Sequence, residues 1–442
     1  HSLVRGNSLT GIGTLDEALQ ILDPGHSAGQ VSLFRDGIEE FLGRAEESLR
    51  RLARTTEATT ADVKGARSAH LEAMEAVEPA RQLFDLLVSV RLGLAQRPVD
   101  VSEASIKKSL GLQPAEDFAS EMQALHFPIA FPEVFLRDRP GFDCILGNPP
   151  WEEATVEELG FFALRHPGLK SLGQAEQKKE LLKIRRARPD LVAEYEQAVA
   201  EAAGLRELLL AGPYPGMGSG DPDLYKAFTW RFWQLVRDDG AIGVVLPRSA
   251  LSAKGSGPWR LEVLAGGAFD DVTMLLNTGG WVFDDAEPRY TIGLIAIRKG
   301  LARAGKVHLR GPFPSASAYA SGLRRRPTAF EADDFTSWSE GASFPLIPSD
   351  AAAEVFRKIR SHPRIDSTEG WTCRPTTEFH ATSDKKHFEL DPEDTEGLWP
   401  VYKGASFNLW EPDTGTYYAW ADPDVVVDTL FDKRRRSARR AT

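Results

Sequence analysis

The sequence predicts an α/β fold, and two observations support that prediction. Short runs rich in aliphatic and β-branched residues occur at 142–146 (FDCIL), 241–246 (AIGVVL), 272–276 (VTMLL) and 290–298 (YTIGLIAIR). Stretches with apolar residues at helical spacing, 223–236 and 258–264, fall between them. Strands that alternate with helices are typical of a sheet with crossover connections. We therefore predict an α/β core over residues 131–300.

Composition and charge exclude several classes of protein. The chain has 442 residues, which corresponds to roughly three domain-sized units. A hydrophobic content of 42% and a charged content of 26% argue against wholesale disorder. No apolar run approaches the roughly 20 residues that span a bilayer, so we expect no membrane partner. The net charge of −11 means that any contact with nucleic acid must be local.

Cysteine and histidine spacing indicates no metal centre. Cys144 and Cys373 are too few for a disulfide framework, and neither CxxC nor HExxH spacing occurs. His380 and His387 also lack the spacing of metal ligands. We predict no bound metal, and the low cysteine content fits a cytoplasmic protein.

One segment, 142–151 (FDCILGNPPW), carries a pattern with a specific chemistry. A buried-strand candidate ends in a glycine, and Asn148, Pro149, Pro150 and Trp151 follow at its carboxyl end. Open α/β sheets bind their ligands at that end of the strands. The alternative is a Pro-Pro turn with a tryptophan in the core, but strand, glycine and Asn-Pro-Pro-Trp together favour a functional site.

The residue types of this segment suit a planar group that carries an amine. The prolines fix φ and remove backbone donors, which leaves rigidly directed carbonyl acceptors. Asn148 adds a side-chain acceptor, and Trp151 adds a flat apolar face. Two acceptors directed at an exocyclic amine draw its lone pair out of conjugation with the ring and make the nitrogen more nucleophilic toward a methyl donor. In duplex DNA such an amine is inaccessible, so the base must leave the stack.

These residues resemble the Asn/Asp-Pro-Pro-aromatic motif of N6-adenine DNA methyltransferases. Residues 131–153 and 223–251 are also similar to large adenine methylases of type IIG restriction–modification systems and of BREX- and DISARM-like phage defence. The resemblance implies a Rossmann-like methyltransferase sheet with long helical insertions and S-adenosylmethionine as the cofactor. It further implies double-stranded DNA as a partner, together with other restriction or defence subunits.

The resemblance implies roles for individual residues. Asn148 and the carbonyl of Pro149 would accept hydrogen bonds from the adenine amine, while Pro150 would shape the turn and Trp151 would stack on the flipped base.

Two residues outside the motif have implied roles. Asn7, in 5–11 (RGNSLTG), would contact the adenine of the cofactor, with a simple Gly-Asn turn as the alternative. Phe283, in 281–291 (WVFDDAEPRYT), would pack on the other face of the target base, with a core aromatic as the alternative.

The resemblance also predicts the organisation of the chain. The predicted segments are the end of a cofactor half at 1–14, a helical insertion at 15–126, the catalytic half at 127–300 with a second helical insertion near 173–210, a connecting region at 301–390 and the start of a target-recognition region at 391–442. Within the catalytic half, the prolines of FPIAFPEVF (127–135) indicate an irregular or edge segment.

Part of the expected cofactor site is missing from the sequence. In family order, a Gly-rich loop and an acidic residue that bind S-adenosylmethionine precede 5–11, and neither occurs here. We assign the Gly-rich stretches 11–13 and 216–220 to loops. We therefore expect this chain to be a portion of a longer enzyme and to transfer little or no methyl by itself.

Two other functions fit the same residues. The tetrapeptide chemistry serves any planar amine, so an RNA base or a protein glutamine amide is an alternative substrate, although the long helical insertion argues against those usually compact enzymes. A non-catalytic DNA-binding or assembly segment that keeps the motif as structure is the third possibility.

Overall fold

The computed structural model describes residues 4–25, 34–40, 42–43, 60–110, 123–220, 222–284, 288, 290–300, 306–363 and 378–440. The chain forms two compact units, His1–Ile359 and Arg360–Thr442. Most of the helix-forming stretch 41–53 (FLGRAEESLRRLA) lies outside the described residues.

The first unit is built on a six-stranded mixed sheet, which confirms the α/β prediction. Its strands are β1 (Phe142–Gly147), β2 (Val236–Pro247), β3 (Gly267–Leu276), β4 (Thr291–Lys299), β5 (Lys306–Phe313) and β6 (Thr328–Glu331). The spatial order is β1-β2-β4-β3-β5-β6. The pairs β1–β2 and β3–β5 are parallel, and the other three pairs are antiparallel. The architecture is consistent with a Rossmann-like fold.

Helices precede the sheet and alternate with its strands. Those before β1 are α1 (Leu15–Leu22), α2 (Thr60–Arg91), α3 (Glu103–Leu110), α4 (Phe127–Ala130) and α5 (Pro132–Phe135). Those between β1 and β3 are α6 (Glu158–Arg165), α7 (Gln174–Ala187), α8 (Pro189–Ala211), α9 (Leu224–Leu235), α10 (Ser249–Ser252) and α11 (Gly257–Gly266). Later in the chain come α12 (Ala316–Leu323), α13 (Ala332–Trp338) and α14 (Asp350–Arg360).

One face of the sheet forms the main core. Ile145, Ile242 and Ile297 are cross-strand neighbours in β1, β2 and β4. They pack in one apolar cluster with Trp233 of α9 and Trp259 of α11. Because side chains alternate between the faces of a strand, this row fixes which residues of β1 face the helices.

The next row of residues lies on the opposite face. Leu146, Gly243 and Ala296 are cross-strand neighbours in β1, β2 and β4. Leu146 is 81% exposed although it is a leucine within a strand. β1 is also one of the two edge strands of the described sheet, with β6 at the other edge.

The structure differs from the sequence-based prediction in three segments. Residues 127–135 form α4 and α5 rather than an irregular segment, because each proline occupies the first turn of a helix, where a missing N–H does no harm. β2 begins at Val236, ahead of the predicted run 241–246, and α9 therefore ends at Leu235. Residues 306–331 add β5 and β6, which the weak periodicity after residue 300 did not predict.

The second unit contains a two-stranded antiparallel sheet of β7 (Trp399–Val401) and β8 (Ala419–Ala421), followed by α15 (Pro423–Arg440). Asp413 braces the connection between the strands, because its Oδ2 accepts hydrogen bonds from the hydroxyls of Tyr402 at 2.6 Å and Tyr417 at 2.9 Å. Across both units, no described helix combines the length and apolar character needed to cross a membrane.

Candidate active site

The Asn-Pro-Pro-Trp segment begins where β1 ends. Gly147 is the last residue of β1, and parallel pairing with β2 places the carboxyl ends of both strands at the same edge of the sheet. A Cβ at Gly147 would lie 2.9 Å from the ring of Phe232 in α9, so a larger residue here would require that ring to shift. Gly147 is therefore a point of close packing between the end of β1 and α9.

The motif itself is partly buried and partly exposed. Asn148 and Pro150 are exposed, Pro149 is buried and Trp151 is half-buried. Because Asn148 is exposed, a ligand in solution can reach its side chain. The buried Pro149 next to it keeps the backbone fixed.

The residues after the motif are tied to the start of α9. Leu224 N–H donates to the Glu152 carbonyl at 2.9 Å, and Ala154 N–H donates to the Pro222 carbonyl at 3.1 Å. Asp223, which precedes α9, forms an ion pair of 3.0 Å with Lys226, and Lys226 is almost completely buried. Both ends of the motif are therefore held by regular structure, β1 on one side and α9 on the other.

Three rings form what we call the aromatic corner, namely Trp151, Phe283 and Tyr290. The ring centroids of Trp151 and Phe283 are 5.9 Å apart with an interplanar angle of 81°. Tyr290 lies 6.3 Å from Trp151 at 86°. Trp151 Nε1 is buried and has no hydrogen-bond partner among the described residues.

The geometry of the aromatic corner decides how a planar ring can bind. A ring held between two parallel aromatic planes needs them about 7 Å apart, twice the stacking distance of roughly 3.5 Å. Phe283 and Tyr290 are nearly perpendicular to Trp151, so a ring that stacks on Trp151 would also lie nearly perpendicular to both. This arrangement differs from the sandwich implied for Phe283, although it brings Phe283 to the motif.

Asn7 is engaged away from the motif. Its Oδ1 accepts from Leu9 N–H at 3.1 Å, and its backbone pairs in parallel with Ala124. Its N–H donates to the Gln123 carbonyl at 2.7 Å, and its carbonyl accepts from Leu125 N–H at 3.2 Å. These contacts match the Gly-Asn turn alternative and leave the implied contact with a cofactor as a prediction.

A buried polar network fixes the segment that follows Asn7 against α9. Arg231 of α9 donates to the Gly11 carbonyl at 3.0 Å and to Glu17 Oε2 at 2.7 Å. Tyr214 donates its hydroxyl to the Leu9 carbonyl at 2.8 Å. Burial raises the pKa of Tyr214 to about 12. Burial also acts to raise the pKa of Glu17, but the neighbouring guanidinium groups outweigh it and the pKa lies below its ordinary value.

Sequence reasoning missed two parts of this site. The apolar run 290–298 predicts Tyr290 only as the first residue of a strand, and its side chain carries no separate signal. Glu17 and Arg231 lie in unremarkable helical stretches, and only folding brings them together. A buried charge in an amphipathic helix cannot be distinguished from a surface charge until its neighbours are known.

A large cavity of the first unit does not lie beside Asn148, and the binding of S-adenosylmethionine stays a prediction. This cavity, of about 790 Å³, is lined by Thr14, Arg137, Gly141, Val236 and Lys299, among others. It lies at the amino ends of β1 and β2, whereas Asn148 follows the carboxyl end of β1. Among the described residues, no group of three or more His, Cys, Asp or Glu side chains is placed to hold a metal ion.

Comparisons with known proteins give weak structural similarities to restriction–modification enzymes. No family model and no curated protein matches the chain. The type IIG restriction endonuclease BpuSI is similar at 14% identity and a TM-score of 0.30, over 94% of this chain and 47% of that one. A modification subunit of a putative type I restriction enzyme from Vibrio vulnificus YJ016 is similar at 13% identity and a TM-score of 0.27, over 47% and 37%.

A third similar structure is the ATP-dependent type ISP restriction–modification enzyme LlaBIII bound to DNA, at 11% identity and a TM-score of 0.24, over 91% of this chain and 25% of that one. The chain therefore spans less than half the length of each of these three solved structures.

Proposed function

We propose that this chain carries the target-amine side of a site-specific, adenine-specific DNA N6-methyltransferase of a restriction–modification or phage-defence system. The observation that carries the proposal is the position of Asn-Pro-Pro-Trp at the carboxyl end of β1, with Trp151 edge-on to Phe283 and Tyr290. An exposed carboxamide next to an aromatic ring is what a planar amine requires.

The proposed chemistry uses groups that this chain places at one edge of its sheet. Asn148 Oδ1 and the Pro149 carbonyl accept the two hydrogens of the adenine amine and direct the nitrogen lone pair out of the ring plane. Trp151 stacks on the base, because an apolar face next to fixed acceptors holds a heterocycle in one orientation. No covalent intermediate with the protein is needed.

S-adenosylmethionine is the proposed methyl donor, and when bound it supplies an electrophilic methyl group. The residues described here act on the amine and not on the donor. Asn7 remains a candidate contact for the cofactor only through the resemblance stated above.

Double-stranded DNA is the proposed partner, with other restriction or defence subunits as further partners. The target base must be flipped out of the stack, which requires an exposed receiving site. The exposed Asn148 and the half-exposed Tyr290 satisfy that requirement. With a net charge of −11, phosphate contacts must come from local basic clusters rather than from the overall field.

The test is transfer of tritiated methyl from S-adenosylmethionine, using the protein as its gene encodes it. Unmethylated duplex DNA, RNA and a glutamine-containing protein are offered separately. We expect label in the adenine of DNA, and we expect Asn148→Ala to abolish it. Gln197→Ala, which removes an exposed carboxamide on α8, is the matched control and should retain full transfer.

Each other outcome selects a different function. Label in RNA or protein but not in DNA would replace the proposed substrate. Unchanged transfer in Asn148→Ala would show that the motif has a structural role only.

A further inference from the structure

Asn277 lies where β3 ends and the loop to Phe283 begins. It is fully buried, at 0% exposure. Its Oδ1 accepts hydrogen bonds from the backbone N–H groups of Val282 and Phe283, each at 3.1 Å. Its Nδ2 donates to the Phe283 carbonyl at 3.0 Å. One carboxamide therefore satisfies three main-chain groups at the base of the Phe283 ring.

The same residue also contacts the main chain of Tyr290. The backbone N–H of Asn277 donates to the Tyr290 carbonyl at 3.0 Å. Tyr290 directly precedes β4, which pairs antiparallel with β3 through Leu276 and Thr291. Asn277 is thus bonded to both residues whose rings contact Trp151.

The path of the loop depends strongly on this side chain. Gly279 and Gly280 adopt left-handed φ values of +70° and +73°. Gly280 N–H donates to the carbonyl of Asn277 at 2.9 Å, so the main chain of Asn277 also contributes to this turn. The indole of Trp281 donates to the Leu276 carbonyl at 2.6 Å and is a second anchor. The amide of Asn277 is the anchor that reaches Phe283 itself.

We propose that Asn277 is a positioning residue whose side chain holds Phe283 against Trp151 before the target ring arrives. The inference rests on the proposed function, because the ring concerned is the target base. If the rings of the aromatic corner are ordered before the base enters, they lose little conformational entropy when it binds. The base then meets a fixed surface that holds it in one orientation. Asn277 acts through other residues and does not touch the base.

The first test measures hydrogen exchange in the full chain and does not depend on activity. Asn277→Ala should accelerate exchange of the Val282 and Phe283 amides about tenfold or more, because both lose their buried acceptor. Asn277→Asp keeps an acceptor oxygen but loses the donor to the Phe283 carbonyl, so it should retain only part of the protection. Ser339→Ala removes another side-chain acceptor, the partner of Ser343 N–H at 2.8 Å, and should leave both amides unchanged. Unchanged exchange in Asn277→Ala would overturn the proposal.

The second test separates positioning from folding. In the protein as its gene encodes it, Asn277→Ala should lower kcat for methyl transfer to unmethylated duplex DNA about tenfold, with KM for DNA within about twofold, because phosphate contacts dominate DNA affinity. Asn277→Asp should rescue part of the loss. Assays are run well below the melting temperature of each variant, so that all are folded.

The outcomes distinguish the two proposals. Accelerated exchange with unchanged kcat would overturn the positioning role while leaving the proposed function intact. Absence of any transfer to DNA by the unaltered protein would overturn the proposed function, and with it the link between Asn277 and a target base.

Discussion

Arg231 and Glu17 are separated by 214 residues in the chain, yet their side chains form a buried ion pair of 2.7 Å between α9 and α1. Arg91 at the end of α2 approaches the other carboxylate oxygen at 2.8 Å. All three side chains are nearly or completely buried. One carboxylate therefore joins three helices and is the shared counter-charge of two buried guanidinium groups.

Replacing this carboxylate should destabilise the first unit strongly. Glu17→Gln keeps the size of the side chain but leaves two buried guanidinium groups without their counter-charge, so we expect a loss of about 3–5 kcal/mol in the free energy of unfolding. Urea denaturation measures it. Asp16→Asn, which removes an exposed partner of Arg35, is the control and should change stability by less than about 1 kcal/mol. Equal losses in the two variants would contradict a special role for Glu17.

The same network predicts a pH dependence at alkaline pH. Burial is the main cause of the raised pKa of Tyr214, about 12 against an ordinary value of 10.0. Its contribution to stability is fully present below the ordinary pKa and is lost as the pH rises through the raised value. Tyr214→Phe should therefore flatten the fall in unfolding free energy between pH 10 and pH 12. An identical slope in both proteins would show that Tyr214 does not titrate in this way.

The lowered pKa of Glu17 predicts that the free energy of unfolding falls as the pH becomes acidic, the opposite direction to the effect of Tyr214. Burial alone would raise its pKa, but Arg231 and Arg91 bring it below the ordinary value of 4.5. Its contribution is present above that value and is lost as the pH falls through the lowered pKa. Glu17→Gln should therefore weaken the acid dependence of the unfolding free energy, measured by denaturant titration at a series of acidic pH values. An unaltered acid slope would exclude Glu17 as a source of it.

Tyr290 should contribute to binding of the target base as an aromatic ring. It is 50% exposed and edge-on to Trp151, so a base that stacks on Trp151 lies next to it. We expect Tyr290→Ala to lower kcat/KM for methyl transfer roughly tenfold, which is within the range for one aromatic contact with a base. Tyr290→Phe keeps the ring and should retain activity. Equal activity in both variants would mean that the ring does not touch the base.

Leu146 should be replaceable by a polar residue without loss of stability. It is 81% exposed, whereas Leu246 of β2 is 0% exposed. Leu146→Asn should change the free energy of unfolding by less than about 0.5 kcal/mol and reduce light scattering on heating, because apolar side chains on edge strands promote association. Leu246→Asn is the matched control and should be severely destabilising. A large loss in Leu146→Asn would show that its face of the sheet is covered.

The tip of the loop between β7 and β8 predicts an unusual stabilising substitution. Trp410 is 94% exposed and has a left-handed φ of +70°. Trp410→Gly relieves this conformation and gives up little buried surface, so it should stabilise the second unit by less than about 1 kcal/mol, because the greater freedom of glycine in the unfolded chain offsets part of the gain. Gly415→Ala, at φ +73°, should destabilise it by a similar amount. Thermal melting of both variants in the full chain measures these changes. A lower melting temperature for Trp410→Gly than for the unaltered protein would contradict the expected stabilisation.

Local patterns in the sequence were sufficient for several elements of the fold. The runs 142–146 and 241–246 lie within β1 and β2, and the helical spacing in 223–236 corresponds to α9. These elements are predictable because residues close in the chain determine periodicity, and periodicity determines which face is apolar. The position of Asn148 at the end of a strand follows from the same local information.

Other elements depended on partners that are distant in the chain. The strand β4 lies antiparallel between β2 and β3, an order that alternation of strands and helices does not specify. β5 and β6 have short or polar runs, and they form strands because β5 pairs with the edge of β3 and β6 in turn pairs with β5. Strand propensity depends on such neighbours more than helix propensity does.

The sequence by itself determined the chemistry of the motif, since residue types and their order define which acceptors and which ring follow β1. Only the tertiary structure decided what surrounds that motif. The perpendicular setting of Phe283 and Tyr290 on Trp151, the hydrogen bonds of Asn277 to both, and the pairing of Glu17 with Arg231 all join residues from different elements. The physical reason is that the residue type alone fixes which hydrogen bonds and ring contacts a side chain can make. The distances, angles and burial of those contacts depend on how the whole chain packs.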